Sequence, residues 1–305
     1  MKIKFLVFFF LLLNCKLLYS QEVKIQFKIN NEIITNVDIK NETKYLIFLN
    51  PNLKKLDETK LNTIAENSLI REKIKEIELK KYIDLKQKFS FEPIFLNNLI
   101  KRKKLSNEIE LEKVSKKMGT NLNYIKSKLK IEGLWSQFIL DKYEKKIFIN
   151  KEVLENKVKS EYAKSKKLKE FKLSELLIDF KDQNKIKEIK QSIIDIGFEN
   201  TANLYSISES SKYGGDIGWI KESSLAPYIL SELNNINIGE KTRVLKTSNG
   251  FLIIKINDIK EADVAFDIKK EIEDLFRFEK NKQLSIYSVI YYRRLKENVN
   301  INEYW

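Results

Sequence analysis

Histidine is absent from this sequence of 305 residues, and cysteine occurs once, at Cys15. The absence of histidine excludes catalysis by an imidazole and any metal site with a histidine ligand. A single cysteine excludes a disulfide within the chain and a zinc site built from cysteines. Any metal would need oxygen ligands alone, and no loop of regularly spaced aspartates provides them. We therefore expect neither a metal nor a cofactor.

Glycine and proline are also scarce, with 8 and 3 residues respectively, which argues against a loop-rich or all-β fold. Lys, Glu, Ile, Leu and Asn dominate instead, and they favour long helices with solvated faces. The content of 43% hydrophobic and 33% charged residues is typical of a globular protein. A chain of this length can form about two domains with cores of their own.

The chain carries a formal net charge of +14. Such a charge is compatible with a nucleic acid or an anionic membrane as partner. Base readout depends on arginine, however, and nearly all of this charge comes from lysine. No dense basic stripe with interleaved aromatic residues is present either, so the charge is typical of a compositional bias and we predict no nucleic-acid partner. The few arginines are Arg71, Arg102, Arg243, Arg277, Arg293 and Arg294.

The first 20 residues have the features of a signal peptide. Lys2 and Lys4 precede an apolar run over residues 5–13, which is too short to span a bilayer and fits the apolar region of an export signal. Ser20 is small enough for a cleavage position. We therefore predict an exported, periplasmic protein whose mature chain has no cysteine.

A lipoprotein signal is the alternative interpretation of the same segment. Leu12, Leu13 and Asn14 precede Cys15, which would carry a lipid after cleavage. The protein would then be a lipid-anchored interaction protein, and a membrane would be a partner only in that case.

Regular patterns predict the elements of the first half of the mature chain. Val23, Ile25, Phe27 and Ile29 alternate as in a half-buried strand, and Asn30-Asn31 indicates a turn. Thr35, followed by Asp38, predicts the N-cap of a helix that ends near Leu49. Further helices are predicted over residues 57–88, 92–104, 106–118 with Ser106 as cap, 121–146 and 150–166.

The pattern changes after residue 168. Strands are predicted over 171–178, 243–247 and 251–256, with a hairpin turn at Asn249-Gly250; helices are predicted over 183–197, 199–204 and 228–233. A helix over 266–296 and an alternating segment over 299–304 follow, and the latter could pair with the strand at 23–29. We predict an α+β protein: an N-terminal helical domain (21–168), an inserted domain with a small antiparallel-rich sheet (169–260), and a C-terminal helix and strand (261–305) that pack back on the first domain.

Three landmarks of the inserted domain resemble those of parvulin-type prolyl isomerases. Residues 205–220 read YSISESSKYGGDIGWI, with the Ser-rich run and Gly-Asp-x-Gly of that family. Gly239-Glu240 is similar to the family's Gly-Glu turn, and residues 247–256, TSNGFLIIKI, resemble its final hairpin. Three landmarks in the same order are more specific than a lone Gly-Gly.

Both flanks are similar to SurA-type periplasmic chaperones. Residues 28–38, KINNEIITNVD, match the strand-turn that precedes the first helix in that family, and residues 292–295, YRRL, followed by a strand, resemble its ending. The resemblance implies a chaperone body made from both chain ends around one parvulin-like domain.

The resemblance also locates the family's functional positions in this chain. The two histidines correspond to Glu175 and Leu252, and the Cys or Asp before the glycine cluster corresponds to Ser208. The apolar residues around proline correspond to Leu225 and Ile229. The substrate-binding residues implied are Leu225, Tyr228, Ile229, Trp219 and Phe251.

These departures leave the enzymatic activity open. Rotation about a prolyl bond needs no covalent chemistry, and a dry apolar pocket favours the twisted amide, so Leu225 and Ile229 could support weak isomerisation. Glu175 and Ser208 could supply a residual hydrogen-bond pair, or could be an ordinary strand residue and a capping serine. Leu225, Ile229 and Leu252 could equally be core residues.

The resemblance implies a chaperone that binds unfolded outer-membrane protein segments in a groove between the helical body and the parvulin-like domain. The domain would have weak or lost isomerase activity. An active prolyl isomerase is the alternative.

Overall fold

The structure is a computed structural model that describes residues 22–87, 89–164, 167–263 and 267–304. The predicted signal peptide, including Cys15, lies outside the described residues. The helices are α1 (Asn36–Leu49), α2 (Glu58–Leu79), α3 (Glu92–Arg102), α4 (Glu108–Lys117), α5 (Leu122–Tyr143), α6 (Lys151–Lys164), α7 (Ile186–Ile196), α8 (Phe198–Tyr205), α9 (Pro227–Leu233) and α10 (Ile268–Glu297). The strands are β1 (Ile25–Ile29), β2 (Glu32–Thr35), β3 (Lys167–Ile178), β4 (Asp216–Lys221), β5 (Leu245–Thr247), β6 (Gly250–Asp263) and β7 (Ile301–Glu303).

The two ends of the described chain meet in a three-stranded antiparallel sheet with the order β2-β1-β7. Ile29 pairs with Ile301, and Phe27 pairs with Glu303, which confirms the predicted pairing of the chain ends. Phe27 and Ile29 are buried as predicted. Val23 and Ile25 are exposed, contrary to the alternation, because Val23 precedes the strand and the register of β1 shifts between Ile25 and Phe27.

Local capping signals fix most helix starts. The Thr35 side chain accepts from the Asp38 N–H, and the Asp38 carboxylate accepts from the Thr35 N–H, which completes a capping box. The Asp57 and Asn121 side chains cap α2 and α5 by accepting from the Lys60 and Tyr124 N–H groups. The cap of α4 is Asn107 rather than Ser106, because the Asn107 side chain accepts from the Glu110 N–H at 3.0 Å.

Helix α2 ends at Leu79, nine residues before the predicted end at 88. The chain turns there, and the Asp84 carboxylate accepts from the Lys86 N–H at 2.9 Å, a local bond that competes with helix continuation. Ile83 and Leu85 pack against a buried cluster that includes Trp135 and Phe138. Tertiary packing therefore overrode the helical periodicity.

Helices α1 to α6 and α10 form the helical body, and several apolar clusters hold it together. One joins the terminal sheet to α1 and α2 around Ile34 and Leu53. A second joins α1 to α3, α4 and α5 around Tyr45 and Phe48. A third joins α5 to α10, and Trp135 and Tyr291 are buried in it. Because α10 comes from the C-terminal end of the chain, the body needs both ends to complete its core.

The middle of the chain forms a four-stranded antiparallel sheet with the order β4-β3-β6-β5. Its element order is β3-α7-α8-β4-α9-β5-β6, which contains the three predicted strands and, at the glycine cluster, a strand β4 with no predicted bounds. Strands β3 and β6 are longer than predicted, β5 and α7 are shorter, and the hairpin turn consists of Ser248 and Asn249. Helices α7 and α8 cover one face, and α9 covers the other. The α+β fold, with a helical body and a small antiparallel sheet, is as the sequence predicted.

Among the described residues, no helix combines the length and the apolar character that crossing a bilayer requires.

Candidate functional site

The glycine cluster lets the chain approach the backbone of β3 very closely. Gly214, Gly215 and Gly218 have φ values of 68°, 81° and 78°, which glycine adopts without strain. A Cβ atom on Gly215 would lie 2.2 Å from the Glu175 carbonyl oxygen. The Asp216 carboxylate accepts from the Gly218 N–H at 2.9 Å and braces the turn. The cluster thereby fixes the preceding serines beside Glu175.

The segment before the glycines, residues 206–213, is called the serine segment here. Its start is bonded to the end of β3: the Ile207 N–H donates to the Leu177 carbonyl at 2.9 Å, and the Ser206 hydroxyl accepts from the Leu177 N–H at 3.1 Å. A short 3-10 helix, Glu209–Tyr213, completes it, with Ser208 as its N-cap.

A small polar cluster forms where the serine segment faces β3. The Ser208 hydroxyl donates to Glu175 Oε1, and the Ser210 hydroxyl donates to the same oxygen at 2.9 Å. Ser210 also donates to the Ser208 hydroxyl at 3.0 Å. The structure thus brings Glu175 and Ser208 into direct contact, and it adds Ser210, which sequence reasoning missed. The Ser-rich composition was the available signal, but it could not show which hydroxyls point inward.

An apolar cluster lies on the same face of the sheet. Leu225, Ile229 and Leu252 pack in one cluster with Ile254, and Glu175 is paired across the ladder with Ile254. Tyr228 lies beside them on α9 and is 51% exposed. Leu225, Ile229 and Leu252 therefore share one face of the sheet with Glu175.

Trp219 and Phe251 lie on the opposite face of this sheet. Trp219 pairs with Lys172, so the two side chains lie on the same face of the sheet. Phe171 and Leu173, the neighbours of Lys172, are buried on the other face. The Trp219 ring lies under the Lys260 ammonium. Phe251 is buried with α7 and α8. The structure does not bring these two predicted substrate-binding residues to the others, because neighbouring residues on a strand point to opposite faces.

A second feature is a cavity of about 600 Å³ between the helical body and the sheet domain. The body contributes residues from α1, α2, α5 and α10, and the domain contributes residues from the end of β3, from α7 and α8, and from the serine segment. A groove between these two parts was the predicted binding surface. Its lining is rich in charged side chains.

A buried ionic network forms one wall of the cavity. The Lys128 ammonium lies 2.6 Å from Glu42 and 2.9 Å from Glu72. The Tyr124 and Ser68 hydroxyls donate to Glu42 at 2.8 and 2.6 Å. Burial would lower the pKa of Lys128, but the attraction of Glu42 and Glu72 outweighs it and raises the pKa above the usual value. Lys128 therefore stays charged between its two carboxylate partners.

A second ionic contact joins the body to the domain. Lys75 on α2 lies 2.5 Å from Glu209 of the serine segment. Burial would raise the pKa of Glu209, but the charges of Lys75 and Arg71 lower it below the usual value. The Trp135 indole donates to Ser288 at 2.8 Å, and Ser288 donates to Glu209 at 3.4 Å.

Arginine side chains form several of the contacts between the helical body and the sheet domain. Arg71 donates to the carbonyls of Ser206 and Ser208 and to the Ser211 hydroxyl, each at 3.0–3.1 Å. Arg102 donates to the Asp216 carbonyl at 2.9 Å, and Arg293 donates to Asp179 at 2.8 Å. Sequence reasoning missed these residues. Their signal was the rarity of arginine in a lysine-rich chain, because a planar guanidinium can bind several acceptors at once.

Among the described residues, no group of three or more potential metal ligands lies close enough to hold an ion. Glu175, Ser208 and Ser210 offer hydrogen-bonding groups beside an apolar surface.

Comparisons with known proteins identify the middle of the chain. Residues 177–258 match the model of a family described as "Rotamase: PPIC-type PPIASE domain". Over 138 residues the chain is 31% identical to foldase protein PrsA 2 of Bacillus cereus, a match that covers 44% of this chain and 47% of that protein. It is 23% identical over 151 residues to chaperone SurA of Pseudomonas putida, covering 46% of this chain and 35% of that protein. The matches thus span less than half the length of these relatives.

Among solved structures, the chain is similar to a protein from Campylobacter jejuni described with PEB4 and Cj1289 as SurA-like chaperones. The likeness covers 92% of this chain and 98% of that chain, with 15% identity and a TM-score of 0.34.

Proposed function

We propose that this chain, which carries a PPIC-type domain at residues 177–258, is an exported periplasmic chaperone for unfolded outer-membrane protein segments. Its parvulin-type domain would have weak or no isomerase activity. The cavity between the helical body and this domain is the single observation that carries the proposal. The names of the relatives, a foldase and a chaperone, support the same class of function.

We also propose how the chain divides into a chaperone body and a parvulin-like domain. Residues 21–168 and 261–305 would form the chaperone body, and residues 169–260 would form the parvulin-like domain. This division is supported by the antiparallel pairing of β1 with β7 and by the packing of α10 against α5 in one buried cluster.

Surface features of the body fit the binding of extended polypeptides. Phe91 and Ile94 are exposed at the start of α3, and the Phe89 ring contacts the rings of both Phe91 and Phe95. Exposed apolar side chains that lie together are typical of protein-binding surfaces. Strands β2 and β7 are the edges of the terminal sheet and could add a client strand by main-chain hydrogen bonds.

Suppression of aggregation tests the chaperone proposal. An unfolded outer-membrane porin diluted from urea should scatter less light in the presence of the purified protein. Asn67 lines the cavity on α2, so Asn67→Trp should fill part of the cavity and weaken suppression. Asn123→Trp makes the same change at an exposed site on α5 outside the cavity and should behave like the parent protein. No suppression by the parent protein would reject the proposal.

Residual prolyl isomerase activity is a second candidate function, and the Glu175–Ser208–Ser210 cluster beside Leu225, Ile229 and Leu252 favours it. An apolar surface stabilises the twisted amide, and a hydroxyl can donate to it. The carboxylate, however, already accepts both hydroxyl protons, so we expect weak catalysis.

A protease-coupled or NMR exchange assay on a proline peptide tests this activity. Ile229→Asp places a charge in the apolar cluster and should abolish any acceleration. Ile194→Asp is the matched control, because Ile194 is 72% exposed on α7. A large acceleration that only Ile229→Asp removes would show that the domain is an active isomerase and that the weak-activity proposal is wrong.

A further inference from the structure

The cavity between body and domain contains more positive than negative charge. Nine cationic and six acidic side chains line it. Each of these acids is already held in an ion pair: Glu42 and Glu72 with Lys128, Glu132 with Lys212, Glu209 with Lys75, Asp179 with Arg293, and Asp182 with Lys185. The lining therefore has no spare carboxylate to neutralise its remaining cations.

Three cations of the lining form no ion pair among the described residues. They are Arg71 on α2, Lys181 in the 3-10 helix Phe180–Lys185, and Lys296 in the last turn of α10. Arg71 donates only to neutral oxygens of the serine segment, and its guanidinium lies 5.8 Å from the centre of the Tyr292 ring. Three separate elements thus direct at one space cations that have no direct ion pair among the described residues.

The three cations are close enough to repel one another electrostatically. Burial lowers the pKa of Lys296 below its usual value, repulsion by Lys181 and then by Arg71 lowers it further, and attraction to Asp182 and Asp179 offsets only part of this lowering. Such mutual repulsion disfavours the empty cavity, and a bound anion would relieve it.

We propose that this cavity binds the carboxylate groups of acidic client segments, with Lys181 and Lys296 as the accessible cations and Arg71 as the fixed one. The inference rests on the proposed chaperone function and names the client chemistry of its binding site. A volume of about 600 Å³ is in the range of pockets that enclose a small ligand, about 300–1,000 Å³, and so suits a short peptide segment. Charge-assisted hydrogen bonds between ammonium and carboxylate groups supply the selectivity.

The test compares three labelled ten-residue peptides by fluorescence anisotropy. They share the same aromatic residues and differ only in carrying Glu, Gln or Lys at the intervening positions. We expect the Glu peptide to bind about three- to tenfold more tightly than the Gln peptide at low salt, as two or three solvent-accessible ion pairs would give. The Lys peptide should bind most weakly, and the preference should shrink as salt is added.

Paired double variants assign the effect to the cavity. Lys181→Gln with Lys296→Gln should abolish the preference for the Glu peptide over the Gln peptide. Lys187→Gln with Lys190→Gln removes the same charge from exposed positions on α7 outside the cavity lining and should retain the preference. All four lysines are exposed, so the variants should fold, which circular dichroism checks.

The outcomes separate the inference from the function on which it rests. Equal binding of the Glu and Gln peptides, or a preference that survives in the cavity variant, overturns the inference while the chaperone proposal stands. Failure of every peptide to bind, together with no suppression of porin aggregation, overturns both.

Discussion

Gly215 is the residue on which the geometry of the candidate site depends most directly. Its φ of 81° and the distance of 2.2 Å from a built Cβ to the Glu175 carbonyl oxygen exclude any side chain without movement of β3 or β4. Gly218 has a similar φ of 78°, but no atom lies within 4 Å of a built Cβ. Substitutions at these two glycines therefore distinguish the free-energy cost of backbone strain from the cost of steric overlap.

Alanine at these two positions should destabilise the protein to different extents. Gly218→Ala should cost about 1–2 kcal/mol of unfolding free energy, the strain of a left-handed conformation. Gly215→Ala adds overpacking against Glu175, about 1–3 kcal/mol more. Urea denaturation of both variants measures the difference. Equal losses would mean that β3 and β4 move apart freely.

Glu209 should make the contact between body and domain sensitive to acid. Its pKa is lowered in the folded state from the usual 4.5, because the charges of Lys75 and Arg71 outweigh burial. A carboxylate with a lowered pKa stabilises the fold fully above its unfolded pKa, and this stabilisation is lost as the pH falls through the folded value. The loss should therefore occur below pH 4.5.

Trp135 reports this transition, because it is linked to Glu209 through Ser288 and lies 5.3 Å from the Lys75 ammonium. In a background with Trp219→Phe and Trp305→Phe, its fluorescence should change below pH 4.5. Glu209→Gln should remove that change, whereas Glu152→Gln at an exposed site on α6 should not. Burial raises the pKa of Glu72, so protonation of Glu72 belongs to a higher pH range. An unchanged titration in Glu209→Gln would contradict the assignment.

At the scale of elements, the serine segment contributes residues to both candidate sites. Ser208 and Ser210 face Glu175 in the polar cluster. Ser206, Glu209 and Ser211 line the cavity. One short segment therefore belongs to both candidate sites, and the helix that holds it, α2, positions both.

Arg71 on α2 should control the order of the serine segment. Loss of its three hydrogen bonds in Arg71→Ala should lower the local opening free energy by about 2 kcal/mol, the range for bonds to a charged group. Amide hydrogen exchange over residues 206–213 should then be about 30-fold faster. Arg294→Ala removes an exposed arginine of α10 and is the control. Equal exchange in the two variants would show that the segment orders itself without α2.

At the scale of the whole molecule, the helical body is closed by contacts between the first and last described residues. Val299 and Ile301 pack against the cluster of Phe27 and Ile29. The Tyr304 N–H donates to the Gln26 carbonyl at 2.8 Å. The stability of the N-terminal elements therefore depends on the far end of the chain.

Deletion of residues 299–305 should destabilise the body by about 2–4 kcal/mol, since two partly buried apolar side chains and the outer ladder of β1 are lost. Urea denaturation followed by Trp135 fluorescence measures the loss. Asn302→Ser, at an exposed position of β7, should leave the midpoint unchanged. A truncated chain of parent stability would show that β1 and β2 suffice for the sheet.

The sequence by itself determined the features that depend on neighbouring residues. The Thr35 capping box, the Asn30-Asn31 turn and the left-handed glycines follow from local backbone energetics, and the alternation of β3 and β6 follows from the two-residue period of a strand. The family landmarks lie on these same features, which is why the parvulin-like domain could be recognised before its structure was known.

Only the tertiary structure decided which surfaces meet. The partners of Arg71 lie 135–140 residues away, and Lys128 meets Glu72 over 56 residues. The end of α2 at Leu79 was likewise set by packing. The physical reason is that an ion pair or a buried contact depends on the relative position of whole elements, which no local propensity encodes, whereas caps, turns and strand alternation are fixed within a few residues.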